Sequence, residues 1–396
     1  MPVLSAAMPI MLLVVFVDLV GFGIVIPLLP FFAKRFAASP FEVTAMLSMY
    51  SLLQLVSAPL WGRFSDRNGR KPALYASIIA SIISYLWMSH ADALWMLFAA
   101  RALQGASAGN ISVCQAYIAD VTSPQTRARG MAAMGGAFGL GFMCGPFIGG
   151  VLAGPHPTSF SVSLPGYAAA LFSALALVIA VFSLKESFPP ERRAALRPPI
   201  GRFAQIGEAF SRPRLRILMA LFFATTFAFA GMETTFGLWG HDRMHWGPQQ
   251  VGYMFGFVGA TLVVMQSGVV RRLAKTIPEE RLLISGLVLI TIGLFLLAIA
   301  ASLPIALLAN FLLASGIATT SPMITSLVSR EADEMEQGVI LGVNQSVGSF
   351  ARVTGPALAG LAYTVGGSAL PYFLGAAIML APIWLAMGLV RDRVPA

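Results

Sequence analysis

Runs of about twenty apolar residues alternate with short polar breaks along almost the whole chain, a rhythm that predicts helices of membrane-spanning length. Twelve such helices are expected, near residues 8–33, 42–62, 73–91, 94–120, 128–153, 164–184, 214–240, 248–270, 281–301, 304–328, 337–364 and 369–390. Several are bounded by charge or by Gly/Pro runs such as Gly154-Pro155-His156-Pro157. The sharpest break is Gly62-Arg63-Phe64-Ser65-Asp66-Arg67-Asn68-Gly69-Arg70-Lys71-Pro72, which sets five charges between two apolar segments. A charge at the bilayer centre costs roughly 2.5 to 3.5 kcal/mol even on insertion scales, so this run is read as a short loop at a membrane face. The fold class that follows is an all-α integral membrane protein.

Composition agrees. The chain has 396 residues, of which 57% are hydrophobic and only 11% charged, with a mean hydropathy of +0.78. That much apolar surface excludes an ordinary soluble domain. The net charge of +9 is explained by placement. Lys34, Arg35 and Arg243 flank one set of helix ends, and Arg101 and Arg352 fall within helices. The remaining Lys and Arg residues lie in the alternate loops and the C-terminal tail. By the positive-inside rule both termini are cytoplasmic, and nucleic-acid binding is not needed to account for the charge. The first apolar segment continues through Ile26-Pro27-Leu28-Leu29 without a small-residue cleavage site, and it reads as a retained span. Cys114 and Cys144 both fall within predicted helices and offer neither a disulfide framework nor metal-ligand spacing.

The chain also repeats. The segment starting at Ala100 aligns with the one starting at Ala309, and Gly145-Pro146 returns as Gly355-Pro356, an offset of about 210 residues. Two six-helix bundles are therefore expected, at 1–186 and 214–396. The Pro-containing stretch 187–213 is the cytoplasmic linker between them. Six being even, both halves enter from the same face, which makes a parallel repeat.

Residues 62–74, GRFSDRNGRKPAL, resemble the signature that the major facilitator superfamily carries between its second and third helices. Arg101-Ala102-Leu103-Gln104-Gly105 resembles its fourth-helix motif. Gly136, followed by Gly145-Pro146-Phe147-Ile148-Gly149-Gly150, resembles the fifth-helix motif of proton-coupled drug antiporters. Within the superfamily, FVDLVGFGIVIPLLP, YSLLQLVSAPLWGRFSDRNGRKP and AYIADVTSPQTRARG look most like the tetracycline-efflux branch. The resemblance covers essentially the whole chain. It implies a transporter and not an enzyme, without a cofactor or resident metal, in a bacterial inner membrane, with protons and a drug-like small molecule as partners.

Physical reasons can be attached to these residues. Gly62 and Gly69 are expected to permit tight turns. Asp66 can pair with Arg70 or with an arginine near Asp120, giving with Arg67 and Arg127 a charge network that latches one set of helix ends and must break in the other state. The plainer reading of the same charges is that they only fix topology. Gly141, Gly145 and Gly149 recur every four residues on one helix face, where missing side chains allow close packing, and Pro146 removes a backbone donor. Asp18 lies near mid-membrane, where burial disfavours the charged form of a lone carboxylate, the property a proton carrier uses. Glu233 is placed at similar depth in the seventh span, and both are proton-coupling candidates. Arg101, about two turns into its span, is expected to pair with a carboxylate or to line a wet cavity, and the resemblance assigns it to coupling. Gln54, Ser84, Gln266, Asn344, Gln345 and Arg352 are candidates for the substrate path, with interhelical hydrogen bonding as the alternative for the amides.

One departure bears on substrate. The tetracycline exporters carry a Leu-Asp-Tyr sequence in the third helix, where this chain has Ile83-Ser84-Tyr85. Losing that carboxylate removes a group suited to proton coupling or to a metal-chelated, cationic drug, so a broader set of amphiphilic or cationic drugs stands beside tetracycline. In the second half the loop signature is eroded to SGVVRRLAKTIPEER, with Lys275 where Asp66 stands in the first. The expected mechanism is alternating access driven by protonation of Asp18 or Glu233. No nucleotide-binding glycine loop is present to suggest ATP. A metabolite or sugar uniporter or importer on the same fold, or a non-transporting membrane sensor or scaffold, are the other classes the sequence leaves open.

Overall fold

In lipid every backbone N–H and C=O must be satisfied within its own segment, and among the described residues this chain meets that requirement with helices. The computed structural model describes residues 2–156, 159–161, 163–188, 207, 210–332 and 336–391. The first half contains α1 (Pro2–Val25), α2 (Leu29–Arg35), α3 (Pro40–Asn68), α4 (Arg70–Ser89), α5 (Leu94–Ala108), α6 (Ile111–Val121), α7 (Pro124–Ala153) and α8 (Ser163–Ser183). The second contains α9 (Pro213–Met244), α10 (Pro248–Leu273), α11 (Glu279–Ile299), α12 (Leu303–Arg330), α13 (Gln337–Gly366), α14 (Leu370–Ile378) and α15 (Leu380–Arg391). Most of the expected linker, 187–213, lies outside the described residues.

Ten helices among the described residues are long and apolar enough to cross a membrane. The two other expected spans are present in different form. The span at 94–120 is interrupted at Gly109 and Asn110, giving α5 and α6, although both residues keep right-handed helical dihedrals. α13 has ample length at 30 residues, but Asn344, Gln345 and Arg352 lower its hydropathy. Large apolar side chains such as Phe182, Val365 and Trp384 are exposed, as expected of surfaces solvated by lipid.

The chain forms two compact units. One comprises Met1–Ala38, Met49–Pro198 and Trp246–Gly256; the other comprises Ser39–Ser48, Pro199–His245 and Phe257–Ala396. Each unit is built around a glycine-lined seam. In the first, a side chain on Gly145 would meet the Gly23 Cα and the Val20 carbonyl at 2.7 Å, so α7 and α1 touch backbone to backbone. In the second, a side chain on Gly355 would meet the Phe227 carbonyl at 2.6 Å and lie close to Gly231, joining α13 to α9. Gly23 and Gly231, like Gly145 and Gly355, are separated by the repeat offset, so the internal repeat is a repeat of packing. Gly141 and Gly149 extend the first seam along Leu19 and Ile24, whereas Gly136 faces open space. Gly145→Val is expected to cost about 1 to 3 kcal/mol through overpacking, read as a lower thermal midpoint of the purified protein; Gly136→Ala is expected to leave it unchanged.

Candidate functional site

The loop predicted at residues 62–72 is almost entirely helical. α3 runs through Gly62 to Asn68 and α4 begins at Arg70, so Gly69 alone makes the turn, with φ of 105°. Charged side chains are compatible with a helix that continues past the apolar core of a bilayer, which is why the charge break did not coincide with a helix break. Gly62 has no neighbour within van der Waals reach of an added side chain and makes no turn.

Arg70, buried at the first position of α4, is the centre of a charge hub. Its Nη1 donates to Asp66 Oδ1 at 2.7 Å and to Ser65 Oγ at 3.0 Å, and its Nε donates to Asp120 Oδ2, in the last turn of α6, at 2.9 Å. Arg67 is exposed, and the Arg127 side chain lies outside the described set. Glu186, just beyond α8, accepts the backbone N–H of Arg70 at 2.9 Å, of Lys71 at 3.2 Å and of Phe188 at 3.0 Å. Ser187 donates to Asp120 Oδ2 at 3.1 Å, and the Phe188 ring lies 4.5 Å from the Arg70 guanidinium.

A second cluster lies inside the same unit. Arg101 on α5 is fully buried, with 0% exposure, and donates through Nη1 to Gln104 Oε1. Its guanidinium carbon sits 4.7 Å from the Tyr50 ring centroid and 5.5 Å from that of Phe22, and the two rings are themselves 4.6 Å apart. Cation–π contact of this kind supports a guanidinium away from water. Tyr85, on α4, is buried beside them and interacts electrostatically with Asp18, Arg101 and Gln104. Asp18 stands one turn before Phe22 on α1 and is partly buried. Asp18, Phe22, Tyr50, Tyr85, Arg101 and Gln104 thus converge from α1, α3, α4 and α5.

The other sequence candidates are placed as follows. Ser84 is buried and donates to the Ala100 carbonyl at 2.7 Å, tying α4 to α5. Gln54 reaches the Ala108 carbonyl at 3.5 Å. In the second unit Asn344 is buried, Gln345 is exposed, and Arg352 donates to Ser349 at 3.1 Å. Gln266 is exposed on the π-helical turn Met265–Val270 within α10. Glu233 is partly buried on α9. It lies two residues beyond Gly231, whereas Asp18 lies five residues before Gly23. In the frame of the repeat Glu233 is therefore about 10 Å further along its helix than Asp18, and not its counterpart. Sequence reasoning passed over Phe22, Tyr50 and Glu186. The first two were signalled by helical spacing, Phe22 four residues after Asp18 and Tyr50 four before Gln54. Among the described residues, no group of three His, Cys, Asp or Glu side chains is placed to hold a metal.

The second unit contains a charge hub of its own. Arg330, the last residue of α12, pairs with Glu279, the first residue of α11, at 2.8 Å, and Ser326 donates to the same carboxylate oxygen at 3.1 Å. Arg214 lies 3.1 Å from Glu331 and 3.8 Å from the buried Glu280, and Arg212 pairs with Glu336 at 2.7 Å.

The superfamily's sequence profile matches residues 11–356 and 272–396. The chain belongs to the major facilitator superfamily. This member is 30% identical over 380 residues to the class C tetracycline resistance protein of Escherichia coli, covering 94% of each chain. It is 32% identical over 354 residues to the bovine (Bos taurus) major facilitator superfamily domain-containing protein 10, covering 85% of this chain and 76% of that one. The crystal structure of the human organic anion transporter MFSD10 superposes with a TM-score of 0.71 at 26% identity, covering 97% of this chain and 99% of the other. A peptide-transporter-family structure superposes at 0.77 with 12% identity, a likeness of fold alone. The protein is thus a multi-pass membrane carrier of small molecules and not an enzyme.

Proposed function

We propose that this major facilitator protein exports a drug-like small molecule in exchange for protons, by alternating access, from a cell whose cytoplasm faces both chain termini. The observation that supports this reading most is the gathering of a fully buried, aromatic-boxed Arg101 and of Asp18, one turn before Phe22, around the same side chain, Tyr85. The guanidinium stays charged at every accessible pH. An ionised Asp18 adds a negative charge to the cluster that holds Arg101; a protonated Asp18 does not. Because electrostatic interactions are strong at low dielectric, a single proton changes the energy of that site enough to favour another conformation. A substrate that needs the Asp18 charge competes with the proton, which is the basis of exchange. Each charge crossing about 100 mV contributes roughly 2.3 kcal/mol, enough for a substrate gradient of more than tenfold per proton.

A second reading, export of an organic anion, is favoured by the relative at 26% identity described as an organic anion transporter, together with Ser84 at the position where the tetracycline exporters carry a carboxylate. The distinguishing experiment is proton release from acidified inverted vesicles containing the protein, on addition of tetracycline with Mg²⁺, then lipophilic cations, then organic anions. Release with tetracycline or the cations supports the first reading. Release with anions alone moves the assignment to the second, and release with none removes proton-coupled export.

A further inference from the structure

The two charge hubs are related by the internal repeat, and their signs are reversed. Asp66, Arg70 and Asp120 correspond, at the offset of about 210, to Lys275, Glu279 and Arg330. Arg70 and Glu279 each occupy the first position of a helix, after Gly69 and Pro278 respectively. Asp120 and Arg330 each lie in the last turn of a helix. The ion pairs Arg70–Asp120, 2.9 Å, and Arg330–Glu279, 2.8 Å, are the same contact with the charges exchanged. What the sequence presents as an eroded signature is an inverted one.

Inversion matters because helix ends are not neutral. The first turn carries partial positive charge from free N–H groups and the last turn partial negative charge from free carbonyls. Glu279 at a helix start and Arg330 at a helix end are each on the favourable side. Arg70 at a helix start and Asp120 at a helix end are each on the unfavourable side. The first hub therefore needs help that the second does not, and Glu186 supplies it. Its carboxylate takes the N–H groups of Arg70 and Lys71, placing negative charge at the start of α4. It also holds the Phe188 amide, whose ring covers the Arg70 guanidinium, while Ser187 engages Asp120.

We propose that Glu186 is a positioning residue for transport: the carboxylate that holds Arg70 and Asp120 against unfavourable helix ends, making the first hub a releasable element, while Glu279–Arg330 is its static counterpart. The proposal rests on the transport reading above. Glu186→Gln keeps the shape but halves the acceptor capacity and removes the charge. Charge-assisted hydrogen bonds being the strong ones, the maximal transport rate is expected to fall by about tenfold or more, with KM within about twofold. Glu186→Asp is expected to recover most of the rate, with the thermal midpoint little changed in both variants. Glu279→Gln and Arg330→Gln are expected to lower the thermal midpoint while leaving the rate per folded molecule within about twofold of the unmodified protein.

A full rate in Glu186→Gln overturns the proposal. So does a loss of rate that tracks a loss of stability and is not recovered by Asp, or an equal loss of rate in the Glu279 variant. Should the unmodified protein move no substrate, the transport reading fails on its own, and amide hydrogen exchange still tests Glu186. Exchange in peptides spanning 69–72 and 184–188 is expected to accelerate together in Glu186→Gln, by about tenfold; unchanged exchange at either segment overturns the role.

Discussion

Asp18→Asn is expected to abolish uphill, proton-driven export while leaving the protein folded and able to pass substrate down its own gradient. Asparagine matches aspartate in size but cannot exchange a proton, so the site next to Arg101 loses its two states. At a membrane potential of about 100 mV the substrate gradient maintained by vesicles should collapse from more than tenfold to near unity. The checks are substrate-dependent proton release from inverted vesicles and equilibrium exchange of labelled substrate in the same preparation. Undiminished proton release would remove Asp18 from the mechanism. Loss of exchange as well would mean that the carboxylate holds the site together and does not switch it.

Arg101→Ala is expected to be the more damaging change. It empties a fully buried position between Phe22 and Tyr50 and leaves the Gln104 Oε1 acceptor without its donor. An orphaned buried acceptor together with lost cation–π contact costs about 3 kcal/mol or more, so both the amount of folded protein and its thermal midpoint should fall. Arg101→Lys separates stability from function. Lysine keeps the charge but lacks the planar fork that lies against two rings while bonding Gln104. Folding should be largely retained and transport reduced by about tenfold or more. A lysine variant with the full rate would show that only charge matters at this position.

Much of the architecture was legible because lipid leaves a chain few options. Apolar runs had to be helices, and charges had to collect at their ends. Departures arise where that constraint relaxes. A helix leaving the bilayer can continue through charged residues, which is how α3 reaches Asn68 and reduces an expected loop to Gly69. The interruption at Gly109 and Asn110 falls within a span that already carries Arg101, Gln104, Ser107, Ser112 and Gln115, so one more small and one more polar residue did not mark a break. Arg101 stood out as a charge among apolar residues. Phe22 and Tyr50, which hold it, did not, because aromatic residues have no contrast against such a background. Glu186 was hidden at the end of the first bundle, beside Lys185 and just ahead of the linker. The Glu279–Arg330 pair was hidden differently: matching by residue identity scores a reversed charge as a mismatch, whereas the geometry shows the same bond.

The order of the helices around Arg101 bears on how the protein is made. A segment carrying an arginine two turns from its end enters the bilayer against a penalty of at most roughly 2.5 to 3.5 kcal/mol when it inserts alone. Phe22, Tyr50 and Tyr85 belong to α1, α3 and α4, all of which precede α5 in the chain. During synthesis each of these rings leaves the ribosome before Arg101 does, so the side chains that hold the guanidinium have all been made when the fourth span emerges. Biogenesis of the first half is thereby given a direction, from α1 towards α5. A circular permutation that began the chain at α5 should strand the arginine in lipid, even though every contact of the finished structure would still be encoded.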